Sequence, residues 1–228
     1  MVMLNLGMKD FKELLYKTRR KYILKYEIHK FDRYRIRYDS LTFKDKKNIA
    51  NKWLIEYPEQ AYFNFEPIDF WLKNFVRRPA KIIEIGGWKG DLALKILSHN
   101  YTIDAWHNYD LVESNNIQKC VDEKYKFISL NDYIWNYRLV IDYNALIATH
   151  MIEHIKWHEL IKLIDWIPKN IYTVLFESPL SLTGGGKNWK GDHSSHILEK
   201  GWKNIIREMN KYGFRVEYND SDTYVFNR

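Results

Sequence analysis

Cysteine, proline and long apolar segments are all scarce in this sequence. Its 228 residues include one cysteine, Cys120, and 5 prolines. A single cysteine excludes an intramolecular disulfide framework and a zinc site built from several cysteines, and it suits a reducing compartment. No apolar run approaches the roughly 20 residues of a membrane-spanning helix, and the amino terminus lacks the pattern of a cleavable signal peptide. We therefore expect a soluble, cytoplasmic protein.

Positive charge is concentrated in the first third of the chain. Residues 1–80 hold 18 Lys and Arg against 10 Asp and Glu, whereas residues 81–228 hold 18 against 19. Within residues 9–38 the basic side chains alternate with aromatic ones, a combination typical of nucleic-acid-binding surfaces. A solvated helix face explains the pattern equally well. We favour a helical cap over a small-molecule pocket and keep nucleic acid as the alternative partner.

The apolar pattern changes character near Pro79. Before it, helical spacing predicts helices within residues 8–36, 42–57 and 68–75. After it, predicted strands at 81–85, 103–111, 125–130, 145–149 and 172–177 alternate with helices at 91–97 and 150–167. A helix over 198–212 and short strands at 214–218 and 223–226 follow. We predict a helical extension over residues 1–79 and an α/β domain over 80–228, with a mostly parallel sheet and a closing hairpin.

A glycine-rich turn joins the first predicted strand to the helix after it. Gly86, Gly87 and Gly90 lie in this turn. In an open parallel sheet, such a turn borders the ligand crevice and lets the backbone approach the ligand closely. Alone, the turn is weak support for a cofactor site, because ordinary strand-to-helix turns are also glycine-rich. A nicotinamide-binding protein is the obvious rival interpretation, but its G-x-G-x-x-G pattern is absent.

The segment Glu84-Ile85-Gly86-Gly87-Trp88-Lys89-Gly90 resembles the first motif of the class I S-adenosylmethionine (SAM)-dependent methyltransferases. Three later segments resemble the family in the same order along the chain: 109–111, 127–132 and 143–155. With the terminal helix and hairpin, the resemblance covers residues 80–228. It implies a Rossmann-like, seven-stranded sheet with helices on both faces and an antiparallel C-terminal hairpin, and it implies SAM as the cofactor.

The resemblance also assigns cofactor-binding residues. In the family, glycines wrap the amino-acid part of the cofactor, an acid ending the second strand accepts the ribose hydroxyls, and the third strand ends near adenine. Matching positions here are Glu84, Gly86, Gly87, Trp88, Gly90, Asp110, Asn131, Asp132 and Thr149. Between Asn131 and Asp132 the adenine contact stays open. Trp88 stands where the family usually has a glycine, so the backbone there cannot come as close to the ligand.

The expected reaction needs few catalytic side chains. The sulfonium already makes the methyl group electrophilic, so orientation supplies much of the acceleration, and an oxygen or nitrogen acceptor needs at most one general base. His150 is the first candidate, because it leaves the fourth strand beside the crevice and titrates near neutral pH. His193 is the second candidate and Glu177 the third.

Histidines recur around the same helix. Positions 150, 154 and 158 would share one helix face. Glu153, His154 and His193 resemble the metal-binding residues of two branches of the family, the quinone-type O-methyltransferases and the small-RNA 3′-end 2′-O-methyltransferases. His150 replaces the first carboxylate of that pattern, so we favour a metal-free site and keep a divalent ion on these three residues as the alternative.

Three functional classes remain open from the sequence. The first is a SAM-dependent methyltransferase that acts on an oxygen or nitrogen of a small molecule. The second is an RNA methyltransferase that uses the basic segment, and the third is a non-catalytic, methyltransferase-like binding protein. The first class is favoured.

Overall fold

A computed structural model of the chain describes residues 42–56, 63–99, 101–112, 124–139, 141–178, 198, 200–220 and 222–228. These ranges contain five α-helices: α1 (Phe43–Glu56), α2 (Phe65–Asn74), α3 (Asp91–Leu97), α4 (Trp157–Trp166) and α5 (Trp202–Lys211). The basic segment 9–38 and His193 lie outside the described residues. In the described ranges, no helix combines the length and the apolar composition that crossing a membrane requires.

Seven strands form a single sheet in the described part of the chain. They are β1 (Ala80–Ile85), β2 (Ile103–Asp110), β3 (Tyr125–Ser129), β4 (Ala145–Thr149), β5 (Thr173–Glu177), β6 (Arg215–Asn219) and β7 (Thr223–Asn227). Their order is β3-β2-β1-β4-β5-β7-β6. Strands β1 to β5 pair in parallel, whereas β7 pairs antiparallel with both β5 and β6. The predicted fold class, including the closing hairpin, is confirmed.

Both faces of the sheet carry apolar cores. Alternate residues of a strand point to opposite faces, so Ile82 and Ile83 of β1 belong to different cores, and both are fully buried. Helix α2 packs on the Ile82 face, where Trp71 is fully buried and its Nε1 donates to Thr173 Oγ1 at 2.9 Å. The division of the chain at residue 79 stays a prediction, but α2 shares a core with the sheet.

The helix predicted over residues 150–167 is wrong in its first half. Ile152–His154 forms a single 3₁₀ turn, and α4 begins only at Trp157. Two backbone features break the helix: His150 has a φ of 49°, and Lys156 is extended, with its N–H donating to Glu159 Oε2 at 2.8 Å. The three histidines therefore do not share one helix face.

Candidate cofactor and acceptor site

The glycine-rich turn after β1 adopts a conformation that needs glycine. Gly86 has a φ of 75° and Gly90 has a φ of 83°, in the left-handed region that other residues rarely adopt. A Cβ added to Gly86 would lie 2.5 Å from Met151 Cγ and 2.7 Å from Met151 Cβ, and one added to Gly87 would overlap the Glu84 carboxyl group. The turn is thus confined by Met151, which follows β4, and by Glu84 of β1.

Side chains at the end of β2 hold this turn in place. The backbone N–H of Gly87 donates to Asn108 Oδ1 at 3.2 Å, and the N–H of Trp88 donates to Asp110 Oδ2 at 2.7 Å. Asn108 was not predicted from the sequence. The available signal was its position two residues before Asp110 on the same strand, which places both side chains on one face.

Asp110 lies where a ribose-binding carboxylate is expected. It is 6% exposed, and its Oδ1 accepts the N–H of Val112 at 3.0 Å. Burial raises the pKa of Asp110 to about 6, although hydrogen bonds from Val112, Trp88 and Leu111 act in the opposite direction. A carboxylate has about four lone-pair positions, so Asp110 retains acceptor capacity toward a hydroxyl pair.

Glu84 lies beneath the turn and is fully buried. Its Oε2 accepts the indole N–H of Trp106 at 2.7 Å, a partner that the sequence did not predict. Its Oε1 has no hydrogen-bond partner in the structure. Burial raises the pKa of Glu84 to about 8, so the side chain supports the turn from below as a largely protonated acid at neutral pH.

The raised pKa of Glu84 predicts a specific pH dependence of stability. Between its ordinary pKa of 4.5 and its folded pKa of about 8, the folded protein holds a proton that the unfolded chain releases. Stability should therefore fall as pH rises through this window, by up to about 1.4 kcal/mol per pH unit from this group. Urea unfolding at pH 5 and pH 8 should show a smaller decline for Glu84→Gln than for the wild type. The exposed control Glu217→Gln should keep the full decline, and equal declines in all three proteins would contradict the prediction.

Trp88 occupies a strained position in the turn. Its φ of 52° is in the left-handed region, which costs a non-glycine residue roughly 1–2 kcal/mol. Its side chain is half-buried, and the indole Nε1 is buried without a hydrogen-bond partner. The position therefore has a backbone conformation that glycine would adopt without strain, and its side chain adds a buried N–H donor next to the turn.

Helix α1 is hydrogen-bonded to the end of β3 through Lys47. Lys47 Nζ donates to Leu130 O at 2.9 Å, to Asn131 Oδ1 at 2.8 Å and to Ser129 Oγ at 3.2 Å. Asp132, the other adenine candidate, accepts from its neighbour Tyr133 N–H at 2.7 Å. Lys47 is a contact that sequence patterning could not reveal, because it joins segments that are distant along the chain.

His150 lies among carboxylates at the carboxyl ends of β4 and β5. Its Nδ1 is 3.5 Å from Glu153 Oε1, and its Nε2 is 3.9 Å from Glu177 Oε1. Burial acts to lower the pKa of His150, but the hydrogen bond to Glu153 and the charges of Glu153, Glu177 and Asp222 outweigh it, so the pKa is raised. Thr149, the last residue of β4, is buried next to it.

Glu177, the last residue of β5, has one carboxylate oxygen with a hydrogen-bond partner and one without. Its Oε1 accepts the backbone N–H of Asn64 at 2.6 Å, whereas its Oε2 is buried without a hydrogen-bond partner. Burial raises the pKa of Glu177 to about 7. Glu153 is fully buried and accepts the Ser178 hydroxyl at 2.7 Å. The structure thus brings two of the three candidate bases together, while His193 lies outside the described residues.

Two of the three residues of the alternative metal site, Glu153 and His154, lie in the described ranges. His154 Nε2 is 3.9 Å from Glu153 Oε1. Among the residues that the structure describes, no group of three or more His, Cys, Asp or Glu side chains is arranged to hold a metal ion. The third predicted ligand, His193, is not in that part of the chain, so the metal assignment stays a prediction.

Comparison with known proteins gives structural matches only. No family model matches the sequence, and no curated protein matches it. The DhpI-SAM-HEP complex matches with 9% identity and a TM-score of 0.56, over 81% of this chain and 96% of that one. The magnesium protoporphyrin IX methyltransferase ChlM from Synechocystis PCC 6803, with bound SAH, matches with 13% identity and a TM-score of 0.55, over 80% and 99%.

A SAM-dependent methyltransferase from Mesorhizobium loti also matches, with 10% identity and a TM-score of 0.50, over 69% of this chain and 95% of that one. The described part of the chain is a Rossmann-like α/β fold. Its fold is that of the class I SAM-dependent methyltransferases.

Proposed function

We propose that this protein is a SAM-dependent methyltransferase that transfers a methyl group to an oxygen or nitrogen of a small molecule. The observation that carries the proposal is the Asp110 carboxylate, which ends β2 and fixes the glycine-rich turn through the Trp88 N–H at 2.7 Å. A buried acid beside a left-handed glycine turn, at the carboxyl ends of parallel strands, is an arrangement suited to a nucleoside ligand.

We assign the residues around the glycine-rich turn to the parts of SAM as follows. Asp110 would accept the ribose hydroxyls, and the turn from Gly86 to Gly90 would pass close to the amino-acid part. Trp88, Thr149 and Glu84 would border that part, and Asn131 or Asp132 would contact adenine at the end of β3. When bound, SAM supplies an electrophilic methyl group, and the chain has to orient the acceptor toward it and to remove a proton.

The environment of His150 changes the predicted order of the candidate bases. Its raised pKa favours the imidazolium, which cannot accept a proton, whereas the pKa of Glu177, about 7, leaves that group able to accept one near neutral pH. We therefore place Glu177 first and His150 second among the candidate general bases. His150 would position Glu153 and Glu177 on the side of the methyl acceptor through its contacts to both. His193 stays a candidate.

The charge at this edge supports a small-molecule acceptor over RNA. Glu153, Glu177 and Asp222 lie around His150, and carboxylates oppose the approach of a phosphate backbone. An RNA methyltransferase that uses residues 9–38 remains the alternative function. Retention on RNA that weakens steeply with salt would favour it.

Calorimetry with SAM and with S-adenosylhomocysteine (SAH) tests the proposal. We expect both ligands to bind the wild-type protein at one site. If the folded protein binds neither ligand, the assignment as a methyltransferase is wrong. A non-catalytic, methyltransferase-like binding protein is then the better description.

A further inference from the structure

Acidic groups are in excess around His150, at the carboxyl ends of β4 and β5. Glu153 and Glu177 lie within 3.9 Å of the two ring nitrogens of His150. Asp222 acts electrostatically on His150, and Asp220 acts in the same way on Glu177. His154 Nε2 lies 3.9 Å from the same Glu153 oxygen, Oε1, that His150 approaches. In the described ranges, the charged groups that act on Glu177 are the imidazole of His150 and the carboxylates of Glu153 and Asp220.

One oxygen of this cluster is left for a ligand. Glu177 is 4% exposed, and its Oε1 is used by the Asn64 N–H. Its Oε2 is buried with no hydrogen-bond partner. An unsatisfied buried carboxylate oxygen is costly, so a molecule that brings a hydrogen-bond donor to Glu177 Oε2 would be stabilised there.

We propose that the methyl acceptor is an amine, which binds as its ammonium form and donates an N–H to Glu177 Oε2. This inference rests on the proposed function and narrows its substrate class. An ammonium supplies both the missing donor and the positive charge that the surrounding carboxylates favour. A hydroxyl supplies only the donor, and a carboxylate or phosphate supplies neither and is repelled.

The transfer then proceeds in two balanced steps. Glu177 takes one proton from the ammonium, which becomes a neutral amine with a free electron pair. The nitrogen uses this pair to form a bond to the methyl carbon, while the carbon–sulfur bond breaks and its electrons stay on sulfur. The products are a methylated ammonium, SAH and protonated Glu177, which then releases its proton to water.

Matched probes test this inference on the whole protein. The probes are benzylamine, benzyl alcohol and benzoate, together with butylamine, butanol and butyrate, titrated at pH 7.5 into protein saturated with SAH. In each series we expect the amine to bind at least about tenfold more tightly than the alcohol, and the acid not to bind. Glu177→Gln should remove the preference for the amine, since it keeps an acceptor for the Asn64 N–H but loses the charge. Glu217→Gln, at an exposed position of β6, should keep it.

The outcomes separate the two proposals. If SAH binds but the alcohol or the acid equals the amine, or if no amine binds, the amine inference is overturned and the methyltransferase proposal stands. The same holds if the preference survives in Glu177→Gln. If folded wild-type protein fails to bind SAH, the proposed function fails, and this inference fails with it.

Discussion

Gly86→Val should weaken SAM binding severely. At a φ of 75° any side chain is strained, and here the Cβ would also lie 2.7 Å from Met151 Cβ, an atom that cannot move without its backbone. The turn would have to shift away from the crevice, and we expect affinity to fall by roughly 100-fold or more, about 2.7 kcal/mol. Calorimetry with SAM and SAH measures the change.

Gly213→Val is the matched control for this substitution. Gly213 has a φ of 86°, but a Cβ there would meet only Arg228 Cβ, at 3.9 Å. The two variants share the backbone strain, so both should lose stability, and only Gly86→Val should lose the cofactor. If both variants bind SAM equally well, the turn does not contact the cofactor.

Asp110→Ala should have the second-largest effect. The substitution removes the proposed ribose acceptor and also two anchors of the local backbone, the bonds to Trp88 N–H and Val112 N–H. We expect SAM and SAH affinity to fall by roughly 100-fold, because charge-assisted hydrogen bonds to a carboxylate are worth about 1.5–3 kcal/mol each. Asp104→Ala is the control, since Asp104 is an exposed residue of the same strand.

The same carboxylate predicts how binding responds to pH. Asp110 accepts hydroxyl hydrogen bonds best when ionised, and its pKa is raised to about 6 by burial. Wild-type affinity for SAH should therefore be constant well above pH 6 and should weaken as pH falls through 6. An affinity that is unchanged between pH 5 and pH 8 would contradict the role of Asp110.

Local sequence signals predicted the fold well. Strand β4 and helix α3 were predicted at their observed bounds, since apolar runs, Gly90 and the charged first turn define them without help from the rest of the chain. The helix after β4 was predicted too early, because the left-handed backbone of His150 and the extended Lys156 have no apolar-pattern signature. Periodicity alone could not detect that break.

The candidate site was predictable only where a motif marked it. The turn from Gly86 to Gly90 and the acid at position 110 could be assigned from the resemblance. Lys47, Asn108 and Trp106 could not, because their roles come from pairing between distant segments, such as the Trp106 bond to Glu84 at 2.7 Å. The contrast between His150 and Glu177 was also hidden, since it depends on burial and on neighbouring charges.

The left-handed Trp88 bears on how this protein could change. The tryptophan codon UGG becomes the glycine codon GGG through one base substitution, so a relaxed turn is a single mutational step away. That step would remove the buried indole N–H together with the backbone strain. A directed-evolution selection for cofactor affinity would sample glycine at position 88 in its first round. Retention of tryptophan in that selection would show that the indole benefits cofactor binding.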